Sequence, residues 1–305
     1  MNIFTITHIV AMASCVTSVI CSIAIIIHSF HKKNLKYFFR RGTLINRFQI
    51  YLAIGDMCFG VWHGIDHSYV LITHVSLNEN TCLFIGFMMM WAFNSMGIIS
   101  CLVTFSAFIV VVLDKKLRFW KFDLVLWIIG ILFPFVMVVI AISFKWLGFN
   151  GFWCGIKSNI EGFSYINIVY TGAVHWINII LSIFTYTNIF LKIVRSTIRV
   201  NMLKREKLIG KIMTNESKRM SIKFIVFVLA LLVQWLPLSL YLIFTAVKAD
   251  ISDTLLLCTV LFTNLGGVFN GAIYLSFRRR KTKPNYSDIT IRKSLNQTKS
   301  DSSKW

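Results

Sequence analysis

The 305-residue chain reads as an all-α membrane protein, a seven-transmembrane helix bundle. Three observations carry that reading: seven long apolar runs, almost no charge inside them, and a one-sided distribution of Lys and Arg between them. Hydrophobic residues make up 56% of the chain and charged residues 14%, against about 25% charged in soluble domains. Mean hydropathy is +0.70. These values exclude a soluble enzyme, a disordered regulator and a nucleic-acid-binding domain. The formal charge of +20 is no nucleic-acid footprint. Its basic residues fill gaps between apolar runs, which is how membrane proteins orient themselves.

A spanning helix needs about 20 mostly apolar residues, at 1.5 Å each, to cross a roughly 30 Å core. The runs are 9–30, 48–73, 82–113, 124–144, 163–191, 224–247 and 255–277. All are far longer than the roughly 10 residues of a barrel strand. Only the second holds Asp, Glu, Lys or Arg, namely Asp56 and Asp66. The first run reads as a span and not as a signal peptide. No basic residue precedes it, and it exceeds a signal core of about 7–15 residues. Residues 1–281 thus form the seven-span domain, and 282–305 a polar, disordered cytoplasmic tail.

Orientation follows from the basic residues. Lys and Arg number six between runs 1 and 2, four between runs 3 and 4, ten between runs 5 and 6, and nine in the tail. The three others are Lys145, Lys157 and Lys248. This asymmetry puts the N-terminus outside and the C-terminus in the cytoplasm, in a multi-pass protein of the cell membrane. The basic loops then face anionic lipid, worth about 1 kcal/mol per residue near the surface. The sequons at Asn215, Asn285 and Asn296 fall on the inner side and should stay bare.

Five of the seven cysteines lie inside spans; Cys82 begins run 3 on the outer side and Cys154 lies in the outer loop between runs 4 and 5, so only these two face an oxidising compartment. A Cys82–Cys154 bridge would pin the loop between runs 4 and 5 over the bundle mouth. Two unpaired thiols are the alternative.

Short motifs sit at matching depths. Run 2 reads Leu52-Ala53-Ile54-Gly55-Asp56, run 6 Gln234-Trp235-Leu236-Pro237, and run 7 Asn270-Gly271-Ala272-Ile273-Tyr274. Run 4 carries Trp127. With the cysteine pair, this set resembles the rhodopsin-like G-protein-coupled receptors, whose patterns are Leu-Ala-x-x-Asp, Cys-Trp-x-Pro and Asn-Pro-x-x-Tyr. The resemblance covers all seven runs and implies a divergent receptor. Such a protein is no enzyme. It binds an unknown extracellular ligand and signals to a heterotrimeric G protein through rearrangement of helices 6 and 7. It implies a polar core at Asp56 and Asn270, where the family holds a sodium ion. Gly266 and Gly267 supply no side-chain oxygen to such an ion. No other cofactor is implied. It implies an activation switch at Trp235, Pro237 and Tyr274, with Pro237 kinking its helix.

The departures are specific. The family's Asp-Arg-Tyr is missing, and Ser106-Ala107-Phe108-Ile109-Val110 carries no charge. Helix 1 lacks the usual Asn, helix 5 lacks its Pro, and Gly271 replaces a Pro.

A ligand site is expected in the outer third. Asp66 lies ten residues beyond Asp56, about 15 Å outward. His63 and His67 flank it. Asp66, His63, Met89 and Trp235 are the candidate ligand-binding residues. The run Met88-Met89-Met90 stands where amine receptors carry an Asp, so a biogenic amine is disfavoured. Soft, apolar walls suit a lipid, an odorant or an apolar peptide end, and they suit plain helix packing equally well. No Lys occurs between Ala249 and Arg280, so a retinal Schiff base is absent.

Two other classes compete. An intramembrane zinc hydrolase would draw ligands from His63, His67, His74 and His175, and zinc needs three or four that converge. A transporter or channel would want more buried charge than Asp56 and Asp66.

Overall fold

The apolar runs become long helices whose outward faces stay apolar. The computed structural model describes residues 3–31, 44–115, 117, 119, 123–160, 162–202 and 209–276. Helix α1 spans Ile3–Phe30, α2 Leu44–Thr73 and α3 Glu79–Ala107. A π turn, Phe108–Val112, extends α3. The fourth span joins α4 (Leu124–Trp127), a π turn (Ile128–Leu132) and α5 (Phe133–Ser143). An antiparallel hairpin follows, β1 Leu147–Phe149 paired with β2 Cys154–Ile156. The fifth span joins α6 (Phe163–Asn167), a π turn (Ile168–Gly172) and α7 (Ala173–Met202). Helix α8, Ile209–Ala246, is the sixth. The seventh is a pair, α9 Asp253–Asn264 and α10 Gly266–Ser276, bent by 50°.

Five of these stretches are long and apolar enough to cross a membrane, and six if the bent pair counts as one. α2 is not among them. It carries Asp56, His63, Asp66 and His67, and all four are buried inside the bundle. The lipid-matched surface lies on the other faces, where Ile27, Ile72 and Ile180 are more than half exposed. Contiguous apolar surface of that kind belongs in hydrocarbon and not in water. The chain is a multi-pass membrane protein. Polar side chains point the other way: Thr7, His8, Ser14, Ser18 and Ser22 of α1 are all buried. α3 runs through the middle, against α2, α5, α7, α8 and the hairpin, while α1 packs on α2 and α9.

Several boundaries differ from the apolar runs. α1 starts at Ile3, ahead of residue 9, because Thr7 bonds the Ile3 carbonyl at 2.8 Å and stays helical. α3 starts at Glu79, where the Asn78 side chain caps the Thr81 amide at 2.9 Å. α9 starts at Asp253, capped by Ser252 on the Leu255 amide at 3.2 Å. These caps satisfy amides that hydropathy does not register. α7 and α8 run past their apolar runs at the ends that face each other.

Met1–Tyr274 form one unit and Leu275–Trp305 a second. Of the second, Leu275 and Ser276 are described, as the last residues of α10. Most of the basic loop residues expected to meet anionic lipid, the 282–305 tail, and the sequons Asn285 and Asn296 lie outside the described residues.

Candidate functional site

The hairpin is a roof. A disulfide joins Cys154 of β2 to Cys82 of α3, with Cα atoms 5.3 Å apart. The Cys154 amide donates to Asp66 Oδ2 at 2.8 Å, so α2 holds the roof as well. Leu147 and Ile156 seat the hairpin on Met90, Val138 and Ala141.

Under the roof lies a cavity of about 250 Å³, walled by Phe59, His63, Met89, Phe93, Trp153 and Thr263 among others. Among the described residues no Asp, Glu, Lys or Arg lines it. From sequence, Asp66 and Trp235 belong with His63 and Met89 at the ligand site. Neither of these two lines this cavity. Asp66 is outside the cavity, its carboxylate engaged by Cys154. Trp235 is 1% exposed and lies a layer deeper. Its ring is 5.2 Å from Phe93, which does line the cavity, and 3.9 Å from His175.

His63 belongs to a chain that links three helices. Its Nδ1 donates to Asn264 Oδ1 at 2.8 Å. That oxygen only accepts, which fixes the direction of the rest for neutral rings. His67 donates from Nε2 to His63 Nε2 at 2.8 Å, and His8 donates from Nδ1 to His67 Nδ1 at 2.5 Å. Asp66 and the Trp153 ring flank this chain. His8 and Asn264 are the residues sequence reasoning missed. His8 stands just ahead of an apolar run, and Asn264 precedes the seventh-span bend; only the unusual density of His on α2 signalled a network.

Below this level is the polar core. Asn270 donates to Asp56 Oδ2 at 2.6 Å. A β-carbon at Gly266 would collide with Asp56 Oδ1 and lie 2.6 Å from Gln234 Nε2. The glycine therefore lets the seventh span close over both groups. The donor set suits a sodium ion poorly. One Asp56 oxygen is taken, an amide nitrogen approaches the other side, and Gly266 and Gly267 add no side-chain oxygen. Pro237 interrupts the hydrogen bonding of α8, and Thr259 of α9 donates to its carbonyl at 3.2 Å. The Tyr274 hydroxyl meets His28 Nδ1 at 2.9 Å and Ser29 Oγ at 3.2 Å, tying α10 to α1.

The crystal structure of squid rhodopsin matches the chain with a TM-score of 0.66. The fold is that of the rhodopsin-like receptors. Identity is 17%, over 89% of this chain and 81% of that one. No protein-family model matches the sequence, and no curated protein is similar to it.

Within that rhodopsin-like fold the far end of α3 is distinctive. Ala107 and Ile189 are fully buried and pack with Val111, Val112, Ile193 and Ile225. Apolar contact thus fills the region where the family carries its Arg. Lys192 pairs with Asp114 and also reaches the Val112 carbonyl at 3.1 Å. Asp123 binds Arg47 at 2.7 Å and accepts from the Tyr51 hydroxyl at 2.8 Å. In the fifth span, which lacks the family's Pro, the π turn Ile168–Gly172 widens the helix instead. Among the described residues no group of three or more His, Cys, Asp or Glu is placed to hold a metal ion. His63 and His67 bond each other, His175 lies beside Trp235, and His74 follows the end of α2 with φ of 57°.

Proposed function

We propose that the chain is a G-protein-coupled receptor. It binds an extracellular ligand in the roofed cavity and signals to a heterotrimeric G protein by rearranging its sixth and seventh spans. One observation carries this reading. A cavity of ligand size sits directly over the Phe93–Trp235 contact, and the Pro237 break beside Trp235 is bonded to the seventh span through Thr259. A ligand moves such a bundle only by its differential affinity for two states, and Phe93 is the wall residue that touches both cavity and Trp235.

In this reading the N-terminus is outside, the tail is cytoplasmic, and the protein sits in the cell membrane with its basic loops on anionic lipid. Trp235, Pro237 and Tyr274 act as the switch. Asp56 and Asn270 form its polar pivot, without need of a cofactor. Met89 stands where an amine receptor has a carboxylate, so amines are poor candidates. The fold belongs to a non-enzyme class, and catalysis has no part in the proposal.

The test is ligand-independent nucleotide exchange on each class of Gα in cells expressing the full chain. Exchange above vector control is expected. Trp235→Ala and Asp56→Asn should shift it severalfold at unchanged surface level. Normal surface delivery with no exchange on any Gα class would sink the proposal.

A further inference from the structure

The cavity's lining permits a statement about its occupant, which rests on the receptor reading. We infer that it takes an uncharged, mostly apolar molecule held at its deep end by the Thr263 hydroxyl.

Charge is the first argument. Among the described residues no Asp, Glu, Lys or Arg lines the wall. The acid next to it, Asp66, is turned to the Cys154 amide, and Lys157 pairs with Glu79 at 3.4 Å. A cation or anion entering here would lose its water and gain no counter-charge.

The second argument is an inventory of hydrogen-bonding groups. His63 lines the cavity, yet both ring nitrogens are engaged, by Asn264 and His67. Thr259 donates to the Pro237 carbonyl, and Thr171 donates to Asn167 Oδ1 at 2.8 Å. Asn150 Oδ1 accepts from the Phe152 and Trp153 amides at 3.0 Å each. Ser158 and Tyr241 also line it, but Thr263 differs: it is 8% exposed, and of the lining side chains it alone has a buried oxygen without a partner among the described residues. Buried hydroxyls are normally bonded. Of the α9 residues on the wall, Thr263 is the farthest from the roofed end. An occupant that brings one donor or acceptor to that depth completes it.

Size is the third. A volume of about 250 Å³ falls just under the range of drug-sized sites, so the occupant has ~12 non-hydrogen atoms. Phe59, Phe93, Trp153 and Met89 favour an aromatic or flat aliphatic body.

Three isosteric probes test this on the purified full chain in lipid nanodiscs: naphthylmethanol, naphthylmethylammonium and naphthoate. Binding is read by saturation-transfer NMR against empty discs. Naphthylmethanol should bind saturably, and each charged probe about tenfold more weakly. Thr263→Val should weaken naphthylmethanol about fivefold and leave naphthalene unchanged, while Thr263→Ser restores it. Leu238→Trp, which fills the cavity wall, should remove binding at an unchanged melting temperature. Equal affinity for a charged probe, no saturable binding, or indifference to Thr263→Val would each overturn the inference. Binding as expected with no Gα exchange defeats the receptor reading alone. Exchange driven by a charged probe defeats the ligand chemistry alone.

Discussion

At the hairpin end, Cys154 is covalently bonded to Cys82 and its amide donates to a buried Asp66. At the far end, Lys192 reaches Asp114 across surface where the aspartate side chain is 78% exposed. The first arrangement is dry, directional and fixed to two helices at once. The second is a screened ion pair beside the apolar packing of Ala107 and Ile189. An exposed pair is worth about 0–1 kcal/mol, so where α3 meets α7 the far end is held by a contact that breaks and reforms cheaply, while the buried Arg47–Asp123 pair fixes α2 to the fourth span. A bundle that keeps one end rigid and the other loosely clasped can pivot about its middle. The middle is where Asp56, Asn270, Gly266 and Pro237 lie.

Four substitutions break or sharpen that contrast. Cys82→Ser should cost the most, about 2–5 kcal/mol, read as thermal unfolding in detergent. The Cys82→Ser, Cys154→Ser double variant should be no worse than either single one. Additive losses would mean the two cysteines act apart. Asp123→Ala comes next. It removes the carboxylate that both Arg47, whose side chain is 14% exposed, and the Tyr51 hydroxyl contact. A loss of about 3 kcal/mol is expected, and denaturant midpoints check it; a loss as small as that of a surface pair would show this corner to be wet. Gly266→Ala should cost about 1–3 kcal/mol by overpacking against Asp56 and Gln234. Melting curves alongside Gly271→Ala, whose β-carbon would meet Cys21 at a comfortable 3.6 Å, separate crowding from helix propensity. Lys192→Ala should change stability by about 0.5 kcal/mol, and raised salt should erase the difference. A large, salt-insensitive effect would contradict the loose far end.

The seven spans were legible because length and apolarity are one-dimensional quantities. The disulfide partners were legible because compartment leaves them apart from the other five cysteines. The spacing of His63, Asp66 and His67 put one polar face on α2 in advance. What that face touches was hidden, since its partners are distant in sequence. His8 and Asn264 come from other helices, and Cys154 lies 88 residues from Asp66. The partner of Asp66 was hidden for that reason: depth along a helix is readable, but the loop that folds over it is not. The β1–β2 roof left no periodic trace in its two three-residue strands. The Arg47–Asp123 pair was likewise a meeting of two loop margins 76 residues apart.

The histidine chain has one more consequence. All three imidazoles hand their hydrogens the same way, toward the Asn264 oxygen, leaving His8 Nε2 as a bare, buried lone pair. The Asn264 amide nitrogen is also buried and unbonded. If that amide turned over, it would present N–H to His63, and every hydrogen along the row would have to shift one place toward α1. The row therefore has two opposite polarities of equal net charge, selected by the orientation of a single amide at the bend of the seventh span. In either arrangement the tautomer at α9 dictates the tautomer at α1, so the row ties the two helices together through the placement of its hydrogens.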